Sequence, residues 1–282
     1  MSLVNMKEML TAARKARKAI GAFNVTNYET AAAVLKAAEA ENEPVIIQLY
    51  MRLFDTGKAY DLCGMLQRLA FRGKVPVALH LDHGSTVKQA TDALAWGYTS
   101  VMYDGSRSPY DENVKWTKHV ADYAHALGAT CEGEIGHVGL AAEKSDSDED
   151  LYTQPDAAAR FAAESGVDML AIAIGNAHGF YQGTPHLDMD RLDAIRKATN
   201  GLPLVLHGGS GIPDDQLETA FARGINKFNY GTNYLVAYYR ALRQFVHETE
   251  NEEHPNILEM FMPAQKALTE HMKDRYRLCR FI

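Results

Sequence analysis

The sequence predicts an α/β protein built as a (β/α)8 TIM barrel with a C-terminal helical extension. Three observations carry this prediction. Short apolar runs alternate with longer amphipathic segments along the whole chain, and strand–helix repetition implies parallel strands joined by right-handed crossovers. Eight such units occupy about 250 residues in a typical barrel, and the chain has 282. Helical segments close on a glycine just before the next run at Gly97, Gly128, Gly166 and Gly224, as helices commonly stop. A doubly wound open sheet is the alternative, but nothing resembling G-x-G-x-x-G follows the first run.

Taken in order, the opening "MSLVNMKEMLTAARKARKAIG" lacks an uninterrupted apolar core and a cleavage pattern, so it reads as an amphipathic helix rather than a signal peptide. The strand candidates are "AIGAFNV" (19–25), "VIIQL" (45–49), "VALHL" (77–81), "SVMY" (100–103), "ATCEGEI" (129–135), "MLAIAI" (169–174), "PLVLH" (203–207) and "NKFNY" (226–230). Segments such as "YETAAAVLKAAEAEN" and "YDENVKWTKHVADYAHALG" between them are amphipathic helices. No linker or repeat divides the chain, so residues 1–282 are read as one barrel domain with 250–282 as its helical tail. The polar stretch "EKSDSDEDLYTQPD" (143–156) is too long and charged for an ordinary turn. It reads either as a solvated surface insertion or as a mobile lid on the active face.

Composition excludes several functions. Hydrophobic residues make up 46% and charged residues 23%, as in ordinary globular proteins. A net charge of -7 argues against a nucleic-acid partner. No apolar run approaches the ~20 residues that cross a bilayer, so no membrane is expected. Cys63, Cys131 and Cys279 are few, odd in number and far apart, which fits a reducing cytoplasm better than a disulfide framework.

In this barrel, residues just past the strands' C-terminal ends converge on one face. Of the 11 histidines, His119, His125, His247, His254 and His271 fall in helices or the tail and read as surface residues, and His80 as a core histidine. His83, His178 and His207 each follow an apolar run directly and precede a glycine, in "LDHGS", "GNAHGF" and "LHGGSG". Three imidazoles from three strand exits can form a metal site with an open fourth position. Asp82 is one residue from a ligand. Adjacent strand side chains diverge, so it reads as an acid/base rather than a ligand, or else as a group orienting His83. The turns "HGGSG" (207–211) and "NYGTN" (229–233) each feed a helix N-terminus after strands seven and eight, where barrels commonly bind phosphate.

These motifs, with "AIGAFNVTNYET", "SVMYDGS" and "EGEIGHVG", appear in an order that resembles the class II, zinc-dependent ketose-bisphosphate aldolases, which include the fructose- and tagatose-bisphosphate enzymes. The resemblance covers most of the chain. It implies one catalytic Zn²⁺ per subunit and reversible cleavage of a phosphorylated ketose, a 1-phosphate or 1,6-bisphosphate, to dihydroxyacetone phosphate and an aldehyde. It further implies His83, His178 and His207 as ligands, with Asp104 and Glu134 as further acidic groups near the metal, and Asp82 as the group handling the C4 hydroxyl proton. Gly179, Gly208, Ser210, Gly231 and Thr232 would hold the C1 phosphate, and Asn229 the enediolate. A homodimer or homotetramer and a monovalent cation near the phosphate are also implied.

The chain departs from the family around the aldehyde half. On the loop after "GHVG" the expected proton-handling glutamate is displaced, leaving Glu143 as the candidate. Small residues past the second strand are replaced by Tyr50 and Arg52, which with Asn24 are candidate distal contacts. Arg52 reads either as a partner for a phosphate or carboxylate or as an ordinary surface arginine. Lys227, on a barrel strand, would suit an imine mechanism that the zinc histidines make redundant. A metal hydrolase would open with HxH after the first strand, where "FNVTN" stands. A non-catalytic sugar-phosphate-binding pseudo-aldolase or accessory subunit is the alternative function.

Overall fold

The computed structural model describes residues 3–139, 141 and 152–280. Eight strands, β1 (Ile20–Asn24), β2 (Val45–Tyr50), β3 (Val77–Gly84), β4 (Ser100–Tyr103), β5 (Thr130–Ile135), β6 (Met169–Ile172), β7 (Leu204–Leu206) and β8 (Ile225–Tyr230), close into a barrel in sequence order. Every neighbouring pair is parallel, including β1 with β8. Both strand faces are covered, one by the barrel interior and one by the helices, so the sequence shows continuous apolar runs rather than alternation. The glycines at 97, 128, 166 and 224 all take positive φ. The three cysteines are free and buried.

The barrel interior is layered. Ile20, Ala22, Ile46, Ala78, Met102, Met169, Ala171 and Val205 form a buried apolar cluster with Met6, Met9, Leu10 and Ala13 of α1 (Met6–Ala16). The opening helix therefore plugs the barrel's N-terminal end. Strand side chains alternate with period two, and the next inward positions up the strands are polar: Asn24, Gln48, His80, Asp82, Glu132, Glu134, Lys227 and Asn229 are all buried or nearly so. An apolar floor thus supports a polar mouth.

The C-terminal segment is more integrated than a tail. In its helix Met262–Cys279, Leu268, Met272 and Tyr276 are buried. Tyr276 donates to the Val34 carbonyl at 3.1 Å and its ring lies 5.2 Å from that of Phe23 on β1. His271, expected at the surface, is half-buried instead. It stacks on Tyr230 and bonds that hydroxyl at 3.0 Å, because the helix Met262–Cys279 packs against the end of β8. Among the described residues, no helix is long and apolar enough to cross a membrane.

Candidate active site

Three strand exits bring His83, His178 and His207 together. His83 Nε2 lies 3.1 Å from His178 Nε2 and 2.8 Å from His207 Nδ1. The opposite ring nitrogens face acceptors: His83 Nδ1 donates to Asp104 Oδ2 at 2.8 Å, His207 Nε2 to Glu132 Oε1 at 2.8 Å, and His178 Nδ1 to the Val138 carbonyl at 3.1 Å. Those acceptors fix the tautomers. The converging nitrogens are then left with lone pairs aimed at one another, an arrangement that repels unless a cation sits between them. Two nitrogens about 2.1 Å from a tetrahedral ion would stand about 3.4 Å apart, close to the spacing seen. The donor set therefore fits a divalent metal such as zinc.

The electrostatics agree. Burial lowers all three imidazoles, but Asp82, Asp104 and Glu134 outweigh it at His83 and raise it to about 10. His178, buried and facing His83, is held down to about 3, and His207 is lowered for the same reasons. A metal ion held among the three imidazoles would have to displace any proton that His83 carries.

Asp104 and Glu134 flank the other side of the His83 ring. With His83 they form a second group able to hold an ion, and Glu134 Oε2 is 4.0 Å from His83 Nδ1. Asp104 also accepts from the Ser106 amide and hydroxyl at 3.1 and 2.7 Å. Burial and the Asp104 charge raise Glu134 to about 8.

Asp82 and His83 both line the cavity, although period-two alternation would send neighbours to opposite faces. His83 takes a φ of 55, in the left-handed region, and the β3–β4 register shifts between Leu81 and Gly84. Such a backbone costs a non-glycine residue about 1–2 kcal/mol and is characteristic of functional sites. Asp82 accepts from the Asn24 amide at 2.7 Å and the Asn229 amide at 3.1 Å. Asn24, read as a distal contact, thus stands beside Asp82, where the β1–β2–β3 pairing puts it. Lys227, set aside as an imine former, is fully buried and bonds Glu132 Oε2 and Asn229 Oδ1, each at 2.8 Å. Sequence reasoning missed Glu132. Its signal was a glutamate inside an apolar run, two residues before Glu134.

A cavity of about 630 Å³ opens above these groups. Gly179, Gly208, Ser210, Gly231 and Thr232 line one side of it. Gly231 heads the helix Thr232–Thr249 and offers it no side-chain cap, while the Asn233 backbone N–H donates to Ser210 Oγ at 3.4 Å, joining the two turns. The remaining first-turn N–H groups and the helix dipole suit an anion. Gly208 has a φ of 62, and an added Cβ would lie 2.0 Å from the Ala177 carbonyl oxygen. Gly208→Ala is therefore expected to destabilise the fold by about 2–4 kcal/mol, measured by denaturant unfolding.

Tyr50, Arg52 and Arg107 also line the cavity. The Tyr50 ring meets the His83 ring edge-on at 6.0 Å, and the Arg52 guanidinium lies 5.9 Å from the Tyr50 centroid. Arg107, another residue that sequence reasoning missed, sits in the loop after β4. Glu143 lies outside the described residues.

The family model described as "Fructose-bisphosphate aldolase class-II" matches residues 4–281. A fructose-bisphosphate aldolase of Geobacillus stearothermophilus is 40% identical over 261 residues, covering 90% of each chain. A 6-phospho-5-dehydro-2-deoxy-D-gluconate aldolase of Halalkalibacterium halodurans is 40% identical over 280 residues, covering 98% of this chain and 96% of the relative. Among solved structures, the YdjI aldolase of Escherichia coli K12 superposes with a TM-score of 0.86 at 33% identity, covering 98% of this chain and 97% of that one. With a closed eight-stranded parallel barrel, a histidine cluster at its mouth and a family match along nearly the whole sequence, the chain belongs to the class II fructose-bisphosphate aldolase family.

Proposed function

We propose that the chain is a zinc-dependent aldolase that cleaves a phosphorylated ketose reversibly to dihydroxyacetone phosphate and an aldehyde. The single observation that carries this is the convergence of His83, His178 and His207 beside Asp82, under two glycine turns suited to phosphate. Held by the three imidazoles, zinc would supply Lewis-acid stabilisation of the charge that develops on the C2 oxygen. The protein's groups do the rest. The turn amides and Thr232 anchor the C1 phosphate. Asp82, its lone pairs aimed by Asn24 and Asn229, takes the C4 hydroxyl proton. The C4–O bond then becomes a carbonyl as the C3–C4 pair leaves for C2. Glu143, the candidate loop carboxyl, gives a proton to C3 of the resulting enediolate, which yields dihydroxyacetone phosphate. A coupled assay for dihydroxyacetone phosphate, run on metal-replete and chelated enzyme, tests this. Cleavage that survives complete zinc removal would refute it.

The aldehyde half is proposed to carry an acidic group. Arg52 and Arg107 line the cavity, and among the described residues neither forms an ion pair. The name of the Halalkalibacterium relative describes a gluconate-derived substrate, which places a carboxylate opposite the phosphate. A charge-assisted hydrogen bond contributes about 1.5–3 kcal/mol. Arg52→Ser is accordingly expected to lower kcat/KM about 10–100-fold for a ketose phosphate ending in an acid. For a neutral-ended ketose 1-phosphate the change should stay within about threefold. Equal losses on both substrates would remove Arg52 from distal recognition.

A further inference from the structure

We infer that Lys227 is a positioning residue that acts through Asn229 to hold Asp82 in its working orientation. The inference rests on the proposed role of Asp82 as the group that takes the C4 hydroxyl proton.

A single buried chain of contacts joins the metal ligand His207 to Asp82. His207 Nε2 donates to Glu132 Oε1 at 2.8 Å, and Lys227 Nζ meets Glu132 Oε2 at 2.8 Å. The same ammonium donates to Asn229 Oδ1 at 2.8 Å, and Asn229 Nδ2 donates to Asp82 Oδ1 at 3.1 Å. His207, Glu132 and Lys227 are fully buried, so water does not compete for these groups.

The direction of this chain is set at one point. An ammonium donates and never accepts, whereas an amide can present either end. Because Lys227 faces Asn229 Oδ1, the amide nitrogen must face Asp82. Without the ammonium, a half-turn of the Asn229 amide would aim its oxygen at the Asp82 carboxylate, replacing a hydrogen bond with repulsion. The other Asp82 oxygen lacks such a fixed reference. It is served by Asn24, which is oriented by Gln48 at 3.0 Å. Gln48 is itself an amide, and its Oε1 has no hydrogen-bond partner among the described residues. Lys227 is thus the group that imposes polarity on the carboxylate's surroundings. Its ammonium is spent on Glu132 and Asn229 and does not line the cavity, which separates this role from imine chemistry.

The test is a double-mutant cycle on the zinc-loaded enzyme. Wild type, Lys227→Met, Asp82→Ala and the double variant are assayed for cleavage of a ketose phosphate, with zinc per chain measured in each. A second version of the cycle uses Lys227→Gln, whose amide still donates to Glu132 and protects against loss of fold. In either version the Lys227 variant is expected to lose about 10–100-fold in kcat, the range for residues that orient a catalytic group. KM should stay within about threefold and zinc should stay stoichiometric. With Asp82 already removed, the same change should cost less than about threefold more, since Lys227 acts through that carboxylate. Losses that multiply in the double variant, wild-type kcat in both Lys227 variants, or a loss traced to missing zinc would overturn the inference. Wild-type turnover in Asp82→Ala alone would overturn the role of Asp82 itself, a distinct result.

Discussion

His178→Ala is expected to cut cleavage on the order of 10³-fold or more and to leave well under one zinc per chain, with little change in melting temperature in chelated buffer. The Lewis-acid contribution of a bound metal amounts to several kcal/mol, and each 1.36 kcal/mol is tenfold in rate. Deleting one of the three proposed protein ligands would leave a pair of imidazoles that cannot enforce a tetrahedral site with one open position. His178 is the cleanest of the three to remove. Among the described residues its outward nitrogen bonds the Val138 carbonyl alone, and the residue is partly accessible from the cavity. His207 differs, because it is fully buried between His83 and Glu132. Truncating it would strand the Glu132 carboxylate without one of its donors, and stability would fall along with turnover. Zinc analysis, a dihydroxyacetone phosphate assay and a melting curve on both variants separate ligand loss from misfolding. Stoichiometric zinc and wild-type turnover in His178→Ala would sink the metal assignment.

Much of this architecture was legible because its physics is local. Strands buried on both faces must be apolar throughout, and helices packed on a barrel stop where a glycine accepts positive φ, so runs and stops could be read directly. The convergence of the three histidines was legible for a related reason: a polar group at a strand's exit interrupts an apolar run just before a glycine. What escaped reading depends on pairing and backbone detail. Asn24 became a neighbour of Asp82 only once β1, β2 and β3 were set in register. The left-handed φ of His83, which lets both it and Asp82 face the cavity, has no sequence signature in a non-glycine residue. Glu132 and Lys227 were visible as charges within apolar runs, but their partnership belongs to β5 and β8, strands that are not neighbours. His271 was misjudged because helical position alone does not reveal that the helix Met262–Cys279 lies against Tyr230.

If Asp82 takes the proton as proposed, Asp82→Ala is expected to lower kcat about 10²–10⁴-fold, the usual range for removing a general acid or base, while zinc content holds because all three proposed imidazole ligands remain. The combination matters. A fall in kcat with metal retained assigns Asp82 to proton transfer, whereas a fall in step with zinc loss would assign it to the metal's support. Stability supplies an independent check in chelated buffer. Burial pushes the Asp82 carboxyl up, but His83, His207, Lys227 and the Asn24 amide outweigh it and hold the group below the usual carboxylate range. A carboxyl depressed in the folded state contributes stability above its unfolded pKa of about 4 and loses that contribution as pH falls toward the folded value. The metal-free variant should therefore melt below wild type at neutral pH, and the gap should narrow as the pH drops below about 4. A gap that stays constant with pH would show that the carboxylate is not held ionised by its neighbours, and the proton acceptor would then have to be sought elsewhere in the cavity.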